Sequence, residues 1–349
     1  MQPGKRITSR EVAQRAGVSR TTVSLVLNRV PHTNISAETM ERVFRAAEEL
    51  GYVPNAAAQA LVSRSAGTVG LVMSRRNHSM GTDAYFFQLV EGLLEALRVH
   101  GLRLLVEMVE DDADGSGYLR LARSHQVDGI LLSGPRYDDA ALDSLAESKF
   151  PLVLMGSLAG GRFDTVDVNN FSAAETAVQH LVGLGHRRIG CITNAPLTFT
   201  AASDRLAGYR SVLEKAGLAY DDRLVRQGAF DIESGYQQMN SLLDERVRPT
   251  AVFIASDVVA FGGLAALAER GIRVPQEMAM VGFDDVPMAA YSVPQLTTIH
   301  LPVPRLAQAA GERMVQLLQG NSGEPQHTLL ETHLVVRQSC GGLSGTEGR

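Results

Sequence analysis

The 349-residue chain is long enough for about two or three domains, and its 45% hydrophobic content can fill a sizeable core. It carries 33 Lys and Arg residues against 38 Asp and Glu residues, which gives a formal net charge of −5. The charge is unevenly distributed: residues 1–64 hold nine basic and five acidic side chains, or +4, which leaves −9 for residues 65–349. This asymmetry predicts that a polyanion binds the N-terminal segment alone.

The composition also argues against several classes of protein. No apolar run approaches the roughly 18 residues of a membrane-spanning helix, and Met1–Arg6 lacks the apolar stretch of a signal peptide. The two cysteines, Cys191 and Cys340, are isolated and do not have the spacing of a metal site. We therefore expect a cytoplasmic protein that has no membrane contact, no metal, no cofactor and no disulfide.

Two short amphipathic helices are predicted near the N-terminus. Thr8 and Glu11 have the spacing of a capping box, and Gly17 can adopt the positive φ that ends the first helix. Ser19 is the expected N-cap of the second helix, Arg20–Leu27, whose outward face begins with Arg and hydroxyl side chains. A short helix held across another, with such side chains at its leading end, has the geometry of a reader of the DNA major groove.

A third helix is predicted over Ser36–Leu50, with Ser36 as its cap and Gly51 as its stop. Its expected apolar face consists of Met40, Val43, Phe44, Ala47 and Leu50. A helical hairpin that merely caps another domain would share the motif of the first two helices. The third helix and the local positive charge favour a compact DNA-binding bundle over that alternative.

From Thr68 onward, apolar runs of five or six residues alternate with amphipathic helices. The predicted strands are Thr68–Met73, Leu102–Glu107, Gly129–Leu132, Leu152–Met155, Thr165–Val168, Arg188–Ile192, Ala251–Ile254 and Ala279–Phe283. The predicted helices are Phe86–His100, Tyr118–His125, Asp139–Ser148, Phe171–Leu184, Asp204–Ala216, Ile232–Leu243 and Val258–Arg270. This alternation predicts parallel sheets, covered on both faces, in two similar lobes. The cleft between the lobes is the expected small-molecule site.

Two blocks of residues carry a resemblance to a known family. They are Val12-Ala13, Ala16-Gly17-Val18-Ser19, Thr22-Val23-Ser24, Val26 and Asn28, then Gly51-Tyr52-Val53-Pro54-Asn55, Ala58 and Leu61. Both blocks resemble the headpiece of the lactose/galactose repressor family of bacterial transcription regulators. A looser resemblance extends to about Val336 and is clearest at Gly185–Gly190, Arg205–Tyr209, Gly282–Val286 and Pro294–Ile299.

The resemblance implies a small all-α helix-turn-helix headpiece and an α/β core with the two-lobed fold of periplasmic sugar-binding proteins. The expected boundaries are 1–53 for the headpiece, 54–66 for a hinge helix and linker, 67–340 for the effector-binding and dimerisation core, and 341–349 for a disordered tail. Lobe 1 is expected at about 67–168 plus 301–326, and lobe 2 at about 169–300 plus 327–340. These boundaries place the crossings between lobes near Asn169, His300 and Gln326.

The resemblance also implies roles for individual residues. Major-groove contacts are expected from Arg20, Thr21 and Leu25, phosphate contacts from Thr8, Ser19, Thr22, Ser24 and Asn28, and hinge or minor-groove contacts from Asn55, Ala58 and Leu61. The hinge helix would order on DNA, where Leu61 would wedge into a base step. Effector contacts are expected from Tyr85, Phe86, Arg205, Phe230, Ser256, Asp257 and Asp284.

Several of these assignments have a plainer alternative. The rings of Tyr85 and Phe86 would stack on a ligand. The alternative is that Phe86 and Phe87 are simply the first core residues of a helix, and this is the expectation for Phe87. Arg205 could be a solvated residue at a helix start, and either Asp257 or Asp284 could be only a helix N-cap. The chain also departs from the family, because Asn169 stands where relatives carry an acid and Met155-Gly156-Ser157 replaces a charged position. Fewer charged groups are therefore expected in the cleft, which leaves the effector open.

The predicted function is a DNA-binding transcription regulator, most simply a repressor, that acts as a homodimer on pseudo-palindromic operator DNA. A small-molecule effector, a sugar or related metabolite, would switch its DNA affinity. An enzyme is not expected, because the chain lacks a G-x-G-x-x-G or P-loop motif. Nothing in the sequence brings Ser256-Asp257 together with a histidine, namely His180, His186 or His300. A periplasmic sugar receptor is the remaining alternative, and the intact headpiece motif argues against it.

Overall fold

The computed structural model describes residues 7–28, 34–53, 65–74, 84–109, 116–321 and 323–342. The chain forms two compact units: Met1–Thr68 with Ser124–Asp128, and Val69–Arg123 with Gly129–Arg349. Within the described residues, no helix combines the length and the apolar character needed to cross a membrane.

The first unit contains the headpiece helices α1 (Ser9–Ala16), α2 (Arg20–Leu27) and α3 (Ala37–Glu49). The start of α1 is fixed by Glu11, whose carboxylate accepts the backbone N–H of Thr8 at 2.7 Å. Gly17 ends the helix at φ 67°, and the Ser19 side chain caps α2 by accepting the Thr22 N–H at 3.0 Å. The turn between the helices is thus closed by the capping residues that the sequence predicts.

The headpiece core differs in one helix face from the predicted one. Its buried side chains are Val12, Ala13, Ala16, Val23, Val26, Val43, Ala46 and Ala47. Met40 and Phe44 were expected in this core but are 37% and 43% exposed. The inward stripe of α3 instead runs through Val43, Ala46 and Ala47, at the i, i+3 and i+4 spacing of one helical face. Ala46 fits there because its side chain is small enough for the helices to approach closely.

The second unit is the α/β core. Its strands are β1 (Thr68–Ser74), β2 (Arg103–Val109), β3 (Gly129–Ser133), β4 (Leu152–Met155), β5 (Asp164–Val168), β6 (Ile189–Thr193), β7 (Val225–Gln227), β8 (Ala251–Ile254), β9 (Ala279–Asp284), β10 (Thr297–His300), β11 (His327–Leu330) and β12 (His333–Val335). Its helices are α4 (Ala84–Arg98), α5 (Ser116–Arg123), α6 (Ala141–Ser148), α7 (Asn170–Gly183), α8 (Thr200–Lys215), α9 (Ile232–Leu243), α10 (Asp257–Glu269) and α11 (Val303–Leu318). Short 3-10 turns occur at Asp222–Leu224 and Pro287–Ala290.

Each lobe is built on one six-stranded sheet. The order is β11-β5-β4-β3-β1-β2 in lobe 1 and β12-β10-β9-β8-β6-β7 in lobe 2. The strands β3, β4, β6, β8 and β9 are buried along their whole length, because helices cover both faces of the sheets. The recorded pairings are parallel except for β10 with β12, so the predicted α/β fold with parallel sheets is confirmed.

The chain passes between the lobes three times. It enters lobe 2 at Asn169, between β5 and α7, and returns to lobe 1 between β10 and α11. The third crossing lies between Leu330 and His333, later than the expected position near Gln326. The reason is that β11 is still a lobe 1 strand, since His327 pairs in register with Thr165 of β5.

The elements after residue 285 were not predicted in detail from the sequence. Of these, α11 packs on α4 and supplies buried side chains to lobe 1, while β11 and β12 close one edge of each sheet. Arg313 of α11 is fixed to β5 by a buried ion pair, with its Nε 2.6 Å from Asp164 Oδ1. Of the expected disordered tail, Gly341 and Gly342 form a turn next to Cys340, and residues 343–349 lie outside the described residues.

Helices α9 and α10 cross at two glycines. A Cβ atom at Gly262 would overlap the carbonyl oxygen of Ile232, and one at Gly235 would overlap the carbonyl oxygen of Val259. The two backbones are therefore in direct contact on this face of lobe 2. Backbone atoms cannot move aside as a flexible side chain can, so even one methyl group is too many here.

We expect Gly262→Ala to lower the free energy of unfolding by roughly 1–3 kcal/mol, the usual cost of overpacking. Thermal or urea unfolding followed by circular dichroism measures the change. Gly183→Ala is the matched control, because nothing lies within 4 Å of the added Cβ at the end of α7. Equal effects of the two substitutions would show that the α9–α10 contact is not close-packed in solution.

Candidate functional site

A cavity lies between the two lobes, at the carboxyl ends of the strands of both sheets. It encloses about 900 Å³ of empty space when counted out to its open mouth, solvent included. Lobe 1 lines it with Tyr85, the Ser133–Pro135 segment after β3 and Asp167 of β5. Lobe 2 contributes residues that follow β6, β7 and β8, Asp284 at the end of β9, and the start of α8.

Arg205 of α8 is the charged centre of the cavity. Its side chain is only 7% exposed, and its Cζ lies 3.6 Å from the centroid of the Phe283 ring. Nη1 donates to the Ala255 carbonyl at 2.6 Å and lies 3.8 Å from Asp284 Oδ1. A buried guanidinium needs such compensation, because desolvation of an uncompensated charge is costly.

The two candidate aspartates have different surroundings. Asp284 ends β9 at φ 116°, lines the cavity and accepts the Ser256 hydroxyl at 3.0 Å, so Ser256 and Asp284 both lie in the site. Asp257 does not line the cavity, which differs from the expectation for this residue. It is fully buried and accepts the Val286 N–H at 3.0 Å and the Thr298 hydroxyl at 2.7 Å. As the first residue of α10, it faces β9 and β10 rather than the cleft.

The aromatic residues at the start of α4 are arranged differently from the prediction. Tyr85 lines the cavity. Phe86 was expected to contact the effector but is instead buried in the lobe 1 core. Phe87, expected in the core, is 54% exposed. The helix begins at Ala84, and each further residue turns about 100° around its axis, so only Tyr85 of the three faces the cleft.

The cavity is also lined by polar groups that were not predicted from the sequence. Asp167, Asn170 and Asn194 are each less than 9% exposed and lie in its wall. Asn194 Oδ1 is buried and has no hydrogen-bond partner among the described residues. The signal for Asp167 was an acidic residue within an apolar strand, at the strand's carboxyl end. The cleft therefore retains an acid near the first crossing, at Asp167, although Asn169 itself is an exposed N-cap of α7.

Phe199 and Phe230 form an aromatic wall in lobe 2. Their ring centroids are 5.1 Å apart with the planes at 86°, an edge-to-face arrangement. Phe230 adopts φ 63°, and its N–H donates to the Asn194 carbonyl at 2.8 Å, which fixes the loop after β7. The wall leaves apolar surface next to the polar groups around Arg205, as sites for sugars and nucleosides do.

The lobes are hydrogen bonded to each other at one side of the cleft. Tyr137 N–H donates to the Thr198 carbonyl at 3.0 Å, and Thr200 N–H donates to the Pro135 carbonyl at 3.2 Å. Arg136 lies between these bonds, with its Cζ 5.5 Å from the Phe199 ring centroid. We call these residues, 135–137 and 198–200, the clasp. Its two main-chain bonds hold the lobes together in this structure.

The histidines that could have completed a catalytic triad bond elsewhere. His180 Nε2 lies 3.2 Å from Cys340 Sγ, His186 Nδ1 lies 3.0 Å from Thr250 Oγ1, and His300 Nδ1 lies 2.9 Å from Asp285 Oδ2. No group of three or more His, Cys, Asp or Glu side chains within the described ranges is placed to hold a metal ion.

The headpiece presents its candidate DNA contacts at the start of α2. Arg20 and Thr21 are exposed, Leu25 is half-buried, and the first turn of the helix holds no acidic residue. Of the candidate phosphate contacts, Thr8 and Ser19 also cap helices, and Thr22 Oγ1 lies 2.9 Å from Ser19 Oγ. Asn28 Nδ2 donates to Ser24 Oγ at 3.2 Å. The hinge residues Asn55, Ala58 and Leu61 lie outside the described residues.

Both units of the chain match known protein families. Residues 8–55 match the bacterial regulatory proteins of the lacI family, and residues 178–340 match a periplasmic binding protein-like domain. The chain is 38% identical over 346 residues to the HTH-type transcriptional regulator CelR of Thermobifida fusca, which covers 97% of this chain and 100% of the relative. It is 34% identical over 336 residues to the HTH-type transcriptional repressor PurR of Klebsiella pneumoniae, which covers 95% and 96% of the two chains.

The chain belongs to the LacI family of bacterial regulatory proteins. The structure of a CelR–cellobiose complex superposes with a TM-score of 0.72 at 36% identity, covering 96% of this chain and 100% of that one. A Lac repressor dimer bound to operator and the anti-inducer ONPF gives a TM-score of 0.82 at 30% identity, covering 96% and 99%. The predicted headpiece-plus-core fold and the predicted function of transcriptional regulation are thus confirmed for this LacI-family protein.

The burial of Asp257 predicts a specific pH dependence of stability. Desolvation raises the pKa of Asp257 well above its ordinary value, and the nearby Asp284 charge raises this pKa further. A carboxyl with a higher pKa in the folded state binds more protons there than in the unfolded chain. Its contribution to the free energy of unfolding is therefore present at low pH and is lost as pH rises through the raised pKa.

In Asp257→Asn this pH-dependent loss of stability is absent, because an amide does not ionise. The amide can still accept a hydrogen bond from Val286 N–H and form one with the Thr298 hydroxyl. We expect the midpoint of thermal unfolding of Asp257→Asn, relative to the native chain, to increase as pH rises from about 4. Differential scanning calorimetry over a pH series measures the difference. A difference that stays constant with pH would contradict the assigned ionisation of Asp257.

Proposed function

We propose that this LacI-family regulator is a cytoplasmic repressor that binds pseudo-palindromic operator DNA as a homodimer. We further propose that a neutral sugar, bound between the lobes, sets its affinity for the operator. The observation that carries the proposal is the cleft, where one buried guanidinium, two carboxylates and an aromatic wall face the same cavity.

The charges of the cleft favour an uncharged effector. Arg205 is flanked by Asp284 and Asp167, so a single positive charge faces two carboxyl groups. Within the described lining of the cavity, an added phosphate or carboxylate would meet these acids without a second cation to balance it. A ring with several hydroxyl groups can instead donate to the carboxylates and place its apolar face against Phe199 and Phe230.

The relatives support this chemistry. CelR, which resembles this chain across nearly its whole length, has been solved in complex with cellobiose. Cellobiose is a neutral disaccharide, so it is the first probe to use. A thermal-shift series with cellobiose, other neutral sugars, phosphorylated sugars and nucleosides tests the class, because a bound ligand raises the unfolding midpoint by mass action. A shift produced only by anionic compounds would overturn the proposed class.

The headpiece supports operator binding. The positive charge of residues 1–64 and the exposed Arg20 and Thr21 at the N-terminus of α2 suit a helix that enters the major groove. The Lac repressor structure that this chain resembles is a dimer bound to operator. Lobe 2 of this chain exposes Met288, Tyr291 and Val293, apolar side chains that a second copy could cover. The hinge function of Asn55, Ala58 and Leu61 remains part of the proposal.

Arg20→Ala should weaken operator binding by roughly 1–3 kcal/mol and relax the preference for one base in each half-site. Binding to a set of operators with single base changes, measured by fluorescence anisotropy at fixed salt, separates the two effects. Arg45→Ala is the control, because Arg45 lies on α3 and pairs with Glu41 at 2.9 Å. Equal loss of affinity on every sequence would make Arg20 a phosphate contact instead of a base contact.

Arg205→Lys should weaken cellobiose binding by about 10- to 100-fold, because a hydrogen bond to a charged group contributes roughly 1.5–3 kcal/mol and lysine lacks the planar fork. Operator binding without sugar should stay unchanged. Arg210→Lys on the outer face of α8 is the control. Calorimetry of cellobiose binding with and without operator gives the coupling, which must be equal in both directions. Equal cellobiose affinities in the two titrations would overturn the switch while leaving sugar binding intact.

A further inference from the structure

The effector arginine is held from both sides of the first crossing between lobes. Asp167 is the last residue but one of β5 in lobe 1, and Asn170 is the first residue of α7 in lobe 2. Asn170 Nδ2 donates to Asp167 Oδ1 at 3.1 Å and lies 3.3 Å from Oδ2. On its other side, Asn170 Oδ1 accepts from Arg205 Nε at 2.9 Å.

We propose that Asp167 and Asn170 are positioning residues that orient Arg205 for the effector and make this orientation depend on the angle between the lobes. The inference rests on the proposed function, since it assigns Arg205 to effector binding. It goes further in naming the residues through which the position of lobe 1 reaches a ligand group that belongs to lobe 2.

The chemistry of the three side chains explains why an amide stands in the middle. A guanidinium can only donate hydrogen bonds and a carboxylate can only accept them. A group that stands between them must therefore accept on one side and donate on the other. Asn170 both accepts and donates, and it therefore links the two across the crossing. Asp167 also accepts the Val168 N–H at 2.8 Å, which fixes its carboxylate relative to the β5 backbone. All three side chains are less than 9% exposed, so these bonds are largely shielded from water.

The remaining contacts of Arg205 show what the link adds. The Ala255 carbonyl and the Phe283 ring hold the Nη1 side and the face of the guanidinium, and both belong to lobe 2. Asn170 holds the Nε edge, and the partner of Asn170 belongs to lobe 1. Along the chain, only Val168 and Asn169 separate Asp167 from Asn170, the pair of residues that we call the relay. A lobe rotation absorbed by the dihedral angles of this segment must change the distance between Asp167 and Asn170.

A ligand can shift the lobes only if it binds their two arrangements with different affinity. The relay supplies such a difference, because Arg205 is oriented in the arrangement in which Asp167 and Asn170 meet. In any other arrangement of the lobes, Asn170 loses its contact with Asp167 and no longer fixes the Nε edge of Arg205. Effector affinity can therefore depend on the angle between the lobes even if the contacting side chains of lobe 2 stay in place within their own lobe.

The test exchanges the two relay residues. Asn170→Asp removes the donor and places two carboxylates against each other, so it should weaken cellobiose binding at least about 10-fold. The double variant Asp167→Asn/Asn170→Asp restores one amide and one carboxylate in reversed order, and it should recover most of the affinity. Asn169→Asp is the matched control. It makes the same chemical change one residue away, at an exposed N-cap that accepts the Ser172 N–H and does not contact Arg205.

Three measurements on the full-length chain separate positioning from stability: the unfolding midpoint without ligand, cellobiose affinity by calorimetry, and operator affinity with and without cellobiose. Rescue of cellobiose affinity in the double variant supports the relay. A lower midpoint with unchanged cellobiose affinity in Asn170→Asp would overturn it, as would equal losses in Asn170→Asp and Asn169→Asp. If Asn170→Asp does not fold, Asn170→Ser removes the Arg205 contact without adding charge and should show the same loss. A native chain that binds operator but not cellobiose would instead overturn the proposed sugar class, and the inference with it.

Discussion

Neither lobe of the core is made from one continuous stretch of chain, and the rest of the structure depends on this constraint. Lobe 1 is completed by α11 and β11, which follow all but the last strand of lobe 2, and lobe 2 is closed by β12, which pairs with β10. Three connections between two bodies remove most of their freedom to separate or slide. What remains is rotation about a few connecting residues, the motion of a hinge. The cleft lies at the strand ends that adjoin the first two of these connections, so its shape is tied to the hinge angle.

The second organising feature is a buried positive charge in the middle of that hinged cleft. Taking a guanidinium out of water costs several kcal/mol unless acceptors and counter-charges surround it. The structure supplies them from separate elements: a carbonyl after β8, the Asp284 carboxylate at the end of β9, an amide at the start of α7 and an aromatic ring beneath. The same groups make the cleft polar and offset the charge of Arg205. The binding chemistry of the site therefore follows from the requirement to stabilise Arg205.

The sequence predicted the parts of this arrangement that depend on local chemistry. Cap residues such as Ser19 mark helix starts, continuous apolar runs mark buried strands, and the motifs around Arg205 and Asp284 locate two cleft residues. It assigned Phe86 to the cleft and Phe87 to the core, whereas Phe86 is buried and Phe87 is exposed, because the direction of each ring depends on the residue at which α4 begins. The strands β11 and β12 were missed because they are short and largely exposed at the sheet edges, without the continuous apolar run of a central strand. Asp167 was missed because its role depends on Asn170 and Arg205, which only the folded chain brings to it.

The clasp has a consequence for how a family of such regulators can diversify. Its two bonds join backbone amides to backbone carbonyls, so they do not depend on which side chains stand at Thr198, Thr200 or Tyr137. Closure of the lobes is in this way separated from the chemistry of the pocket that closure encloses. Substitutions at Phe230 or in the polar groups, which lie outside the clasp, can change which compound is recognised and leave the means of closing unaltered. A gene duplicate could thus acquire a new signal through a few changes in the cleft, while its route from closure to DNA stays the same.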